Sequence, residues 1–183
     1  MSVLDELLNA IAVAPEGDGV VLHGAMLLRA FGMPRPADGI DLYAGDATPD
    51  EVAARLQVIA ATDPAGWGKP TLRRDGARVF VEIPGGHAVI RISPTPPLDP
   101  VAGWVEVWGG TPVLGVRPET EAAAAMLAGR DADLAWLCAD RLLDGDGVAD
   151  QLIAWGETLS PATIAAAPPG RWRDRLAARL GRR

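Results

Sequence analysis

LHGAMLLRAFGMPRPADGIDLYAG (residues 22–45) is the stretch on which the fold turns. Val20-Val21-Leu22, leading into it, is a short apolar run of the kind that forms a buried strand. His23-Gly24 then turns the chain into AMLLRAFG, a short helix that Gly32 ends. Past a loop with two prolines, Gly39–Ala44 (GIDLYA) reads as a second strand. A strand, a helix and, past the loop, another strand start the chain's mixed order of elements.

Reading outward, SVLDELLNAIAV (2–13) repeats apolar side chains at helical spacing, with Ser2 placed to cap it. Thr48-Pro49-Asp50-Glu51 starts a further helix that runs to about residue 62. The middle of the chain is β-rich. ARVFVEI (77–83) and HAVIRIS (87–93) flank Pro84-Gly85-Gly86 as a hairpin, and GWVEVW (103–108) with TPVLGV (111–116) forms another. PTPPLDP between them is a stiff connector. From Pro118 onward the pattern is helical: ETEAAAAMLAG, DADLAWLCADRLL and VADQLIAWGETL. PATIAAAPPG reads as a linker before RWRDRLAARLG, a short basic helix with Trp172, Leu176 and Leu180 on one face. The expectation is an α+β core over residues 1–117 with a mixed sheet flanked by helices. A C-terminal helical annex over 118–160 follows, then a linker and basic helix over 161–183. Trp104, Trp108, Trp136 and Trp155 are expected to pack in the core and annex.

Composition narrows the function classes. The chain has 183 residues, ample for a core, and ordinary polarity for a folded protein. No run approaches the roughly 20 apolar residues that span a bilayer. The start, MSVLDELLNA, carries acids where a secretory signal carries positive charge, so a cytoplasmic location and no membrane partner are expected. One cysteine, Cys138, excludes an internal disulfide framework and a Cys-rich zinc site; two histidines, His23 and His87, make a histidine cage unworkable. The formal net charge of −7 divides unevenly. Residues 171–183 hold six arginines and one acid, a local +5, so the first 170 residues stand at −12. Such an acidic body argues against a general nucleic-acid binder. The Arg-rich tail leaves three readings: docking within the chain or across a homodimer, contact with nucleic acid or another anion, or a disordered end.

Leu22, Gly24, Leu28, Gly32, Arg35, Ile40, Asp41 and Leu42 together resemble the nucleotidyltransferase superfamily, specifically its AbiEii-type branch. There a glycine turn opens a helix and R-x-[ST]-x-D-I-D-L leads along the next strand. Residues 104–137 resemble the family's closing hairpin and its K-L-x-A-x-R-x-x-D-L helix region, with Arg130, Asp133 and Leu134 at matching spacing. The resemblance implies a nucleotidyltransferase-like fold over roughly residues 3–150. It implies that a hydroxyl beside the glycine turn holds a triphosphate at a helix N-terminus. Two carboxylates at i and i+2 on a strand would hold two Mg²⁺ ions on one face, and a third on a neighbouring strand would activate an acceptor hydroxyl. Positioning and metal charge do nearly all the work in such transfers.

The sequence departs from that pattern inside the implied pocket. The second glycine is Ala25 and the Ser/Thr position is Met26. The first carboxylate of the pair is Gly39, leaving Asp41. Asp38 sits on the opposite face of a regular strand from Asp41, unless a bulge at Gly39 swings it round. The third carboxylate reads as Ser93, with Arg91 two residues before it; the family's lysine is Ala125 and its second helix aspartate Trp136. Asp41, His23 and Asp38 are therefore the candidate catalytic groups. Gly24, Arg35, Arg91, Arg130 and Asp133 are the candidate substrate-binding ones, with no metal-ligand set. Each has a plainer reading too: Asp41 as a solvated strand end, His23 as a turn histidine, Arg35 as a surface arginine, Arg130–Asp133 as a helical ion pair. His87 and Glu82 are expected to face water. The expected function is a scaffold with a dismantled metal and nucleotide site, repurposed to bind or transform a small organic molecule in the former nucleotide cleft without metal or other cofactor. The alternatives are Mg²⁺-dependent transfer of a nucleotide to a hydroxyl, and a non-catalytic interaction or antitoxin-like protein.

Overall fold

The computed structural model describes the chain apart from residues 1, 18, 35, 64–65, 67, 69, 84–85, 99–102, 108–110, 141–142 and 182–183. It falls into two units, Met1–Thr95 with Gly103–Gly115, and Pro96–Ala102 with Val116–Arg183.

In the first unit, α1 (Val3–Val13) opens on a capping box. The Ser2 hydroxyl accepts from the Asp5 amide at 3.3 Å while the Asp5 carboxylate accepts from the Ser2 amide at 2.8 Å. Thr48 and Glu51 repeat the device at the start of α3 (Pro49–Ala61). The hydrogen bonds that Glu51 accepts from the Thr48 backbone and hydroxyl hold its carboxyl below the usual carboxylate range. Between these helices lie β1 (Val21–His23), α2 (Gly24–Ala30) and β2 (Ile40–Tyr43). The strands β3 (Thr71–Asp75), β4 (Arg78–Ile83), β5 (Gly86–Ser93), β6 (Gly103–Glu106) and β7 (Pro112–Gly115) follow. The sheet order is β3-β4-β5-β2-β1-β7-β6. It is mixed, with β2/β5 and β1/β7 parallel and the other neighbours antiparallel. The chain is thus α+β with a mixed seven-stranded sheet flanked by helices.

Strand β3 is an addition to the sequence reading. TLRRD is too charged to show alternation, because it is an edge strand whose side chains are mostly exposed. Its signal was the Asp75-Gly76 pair, a hairpin turn in which Gly76 takes φ +53°. The pairings β4/β5 and β6/β7 agree with the two expected hairpins; the turn residues Pro84, Gly85, Gly109 and Gly110 lie outside the described residues.

Strand alternation gives the sheet two unlike faces. Leu22, Ile40, Leu42, Val79, Val81, Ala88, Ile90 and Ile92 form the buried one. Helix α3 packs on β3, β4 and β5, and α1 packs on β5. The other face carries His23, Asp41, Tyr43, Arg78, Phe80, Val89, Arg91 and Ser93, all half-buried or exposed.

The second unit comprises α4 (Pro118–Ala128), α5 (Asp131–Asp140), α6 (Gly145–Ala154), α7 (Pro161–Ala166) and α8 (Arg171–Leu180). The connector is tied into this unit by the Pro97 carbonyl, which accepts from Gln151 Nε2 and Trp155 Nε1, each at 2.8 Å. The expected linker at 161–170 is corrected: its first part is α7. Ser160 caps that helix by accepting from the Thr163 amide, and Pro161 presets its first turn. Helix α8 packs along α6, burying Trp172 and Leu176. Among the expected packing tryptophans, Trp104 is corrected. It stands on the edge strand β6, 70% exposed, whereas Trp136 and Trp155 are half-buried and Trp108 lies outside the described residues. Among the described residues no helix is long and apolar enough to cross a membrane.

Candidate functional site

Strand register places one row of polar side chains across the open face of the sheet. Asp75 on β3 stands opposite Arg78 on β4, Arg78 opposite Arg91 on β5, Arg91 opposite Asp41 on β2, and Asp41 opposite His23 on β1. Directly opposed residues share a face, so the five side chains leave the sheet on the same side. Tyr43, two residues beyond Asp41, is on that face as well. Its ring stacks on the His23 imidazole with centroids 4.0 Å apart and planes 13° from parallel.

Arg91 is the centre of the row. Its Nη1 donates to Asp41 Oδ1 at 3.3 Å, and its Nη2 donates to Asp38 Oδ2 at 3.0 Å. Nη1 also reaches Asp38 Oδ1 at 3.4 Å. The two carboxylates differ in setting: the Asp41 side chain is 22% exposed and that of Asp38 83%. Asp38 gets there without a bulge inside the strand. Strand β2 begins only at Ile40, so Asp38 belongs to the preceding loop and is free of strand alternation. Burial pulls the pKa of the guanidinium down, but the hydrogen bonds and charges of Asp38 and Asp41 outweigh it and hold Arg91 above its ordinary value.

Two glycines make this packing possible. A Cβ at Gly39 would lie 2.6 Å from the Val89 carbonyl oxygen and 2.7 Å from Arg91 Nη1, so the guanidinium lies against bare backbone. Gly24, at φ +70°, leaves room on the other side: a Cβ there would stand 3.0 Å from Asp41 Oδ2. His23 caps α2 with extended backbone and makes no side-chain cap bond.

These contacts decide how well the implied Mg²⁺ pair fits the residues present. The pair needs carboxylates at 39 and 41. Position 39 has no side chain and no room for one, and Asp41 is already bonded to a guanidinium that also takes Asp38. Among the described residues no group of three His, Cys, Asp or Glu side chains is placed to hold a metal ion. The residues do not fit the metal pair.

The remaining candidates fall elsewhere. Arg35 lies outside the described residues. Met26 is buried in the core of the first unit. Ser93 pairs with Tyr43, so the residue opposite Asp41 on the neighbouring strand is Arg91 itself. Arg130 and Asp133 belong to the second unit. There Arg130 Nη1 donates to the buried Asp133 at 2.9 Å and Nη2 to the buried Glu121 at 3.4 Å. His87 and Glu82 are exposed, as expected.

Sequence reading missed Tyr43 and Arg78. Tyr43 had a signal, since it stands at i+2 from Asp41 and must share its face. Arg78 had none, because its place opposite Arg91 follows from hairpin register. No protein-family model matches this chain, and no curated protein does.

Proposed function

We propose that this chain is a nucleotidyltransferase-like protein whose metal and nucleotide site has been dismantled, and that it binds or transforms a small organic molecule on the open sheet face without metal. The observation carrying this reading is the Arg91 guanidinium lodged between Asp41 and Asp38, against the bare backbone of Gly39. A permanent monovalent cation then stands where the resemblance implies divalent ions. The chemistry left on the face is organic. Asp41 can accept a hydrogen bond, His23 opposite it brings an imidazole to the same face, and the His23–Tyr43 stack offers a flat surface.

The test is a melting assay of the intact protein against small metabolites in EDTA, and against ATP, GTP, CTP and UTP with Mg²⁺. The expected result is stabilisation by a metabolite in EDTA that Asp41→Asn and His23→Gln each abolish. Stabilisation by any nucleotide that requires Mg²⁺ would overturn the reading. One observation favours the alternative of Mg²⁺-dependent nucleotide transfer: Asp38 and Asp41 do converge. That alternative requires Arg91 to leave both carboxylates.

A further inference from the structure

Arg91 has two carboxylate partners that are not equivalent. Asp41 is part of β2, between β1 and β5, with its carboxylate against Gly24. Asp38 stands in the irregular loop before β2, and its side chain is 83% exposed. An ion pair with so exposed a partner contributes little to stability, since water and salt compete for both charges. Yet the contact has the form of ligand recognition: both Asp38 oxygens lie within 3.4 Å of the outer guanidinium nitrogens.

The neighbouring strand adds a second observation. Arg78 stands directly opposite Arg91 on the same face, and like charges in that position repel. On the next strand Arg73 lies over the Phe80 ring, 3.9 Å from its centroid. Three adjacent strands therefore present arginines to the open face, with Asp38 and Asp41 bonded to Arg91, Asp75 opposite Arg78, and Glu82 further along β4. With Asp38 withdrawn, Arg91 Nη2 gives up its 3.0 Å acceptor while Arg78 stays alongside on the same face.

We propose that Arg91 anchors the carboxylate or phosphate of a small anionic ligand, which takes the guanidinium over from Asp38, with Arg78 alongside. Asp38 is the built-in occupant of that position and Asp41 the fixed counter-ion beneath it. This rests on the reading of the face as a metal-free small-molecule site and names the class of its ligand.

The experiment titrates the intact protein with inorganic phosphate and, separately, with succinate, in EDTA at constant ionic strength, following amide chemical shifts. The two probes distinguish a phosphate from a carboxylate ligand. Asp38→Asn removes the competitor and is expected to tighten binding of the preferred anion about threefold, the scale of an exposed ion pair. Arg91→Gln is expected to weaken it about tenfold or more, and Arg78→Gln by less, in proteins whose spectra show the fold intact. If Asp38→Asn binds neither anion more tightly than the parent protein, the inference is overturned whatever Arg91→Gln does to folding. If neither anion binds the parent or Asp38→Asn, it is overturned as well. Stabilisation by an uncharged metabolite in EDTA would in that case leave the metal-free reading standing.

Discussion

At Gly39 a single hydrogen in place of a side chain lets the guanidinium of Arg91 lie against the backbone. Gly39→Ala would force the Val89 carbonyl or Arg91 to move, and Val89 is held in the sheet. The expected cost is about 1–3 kcal/mol in a urea titration, the usual scale of overpacking. Cys138 gives a second residue-scale expectation. Burial pushes its thiol up to about 11, so the thiolate is scarce at pH 8. Alkylation by iodoacetamide at pH 8 should be at least about tenfold slower than in the urea-unfolded protein, and the difference should shrink as pH rises toward 11. Asp41, His23 and Gly24 were legible in the sequence because they sit in one contiguous stretch whose turn geometry is local. The position of Arg91 opposite Asp41 was not. It depends on the parallel register of two strands about 50 residues apart, which no local pattern encodes.

Elements with a capping box or apolar alternation are readable in the sequence, and two that have neither, β3 and α7, are not. Helices α1 and α3 announce themselves by capping boxes and apolar spacing, and β4 and β5 by alternation. Strand β3 exposes nearly every side chain and α7 buries none, so neither leaves a hydrophobic signature. The basic tail helix α8 was legible through Trp172 and Leu176, both buried against its own unit. Its fit on α6 depends on Gly145, where a Cβ would run into the Trp172 carbonyl. Gly145→Ala should therefore displace α8. Leu176→Ala should cost about 2–5 kcal/mol, as for other buried leucines. Native-state hydrogen exchange would show both as faster exchange of the α6 and α8 amides. An unchanged α8 in Gly145→Ala would contradict this packing.

On the scale of the whole molecule, the division of charge has a structural counterpart. Arg175 pairs with Asp144 at 3.3 Å and Arg179 with Asp150 at 2.8 Å, so part of the +5 tail lies against acids of its own unit. The sheet divides the first unit just as sharply, with one face given to the core and the other to a row of charged and aromatic groups. Its centre is an arginine that holds two aspartates where the family resemblance implies metal. The most direct measurement is a crystal structure grown with Mn²⁺ and a nonhydrolysable nucleoside triphosphate, read by anomalous scattering. The expected map has Arg91 on Asp38 and Asp41 and no manganese peak beside either carboxylate. A manganese peak on Asp41, with Arg91 swung away and a triphosphate beside it, would contradict the account.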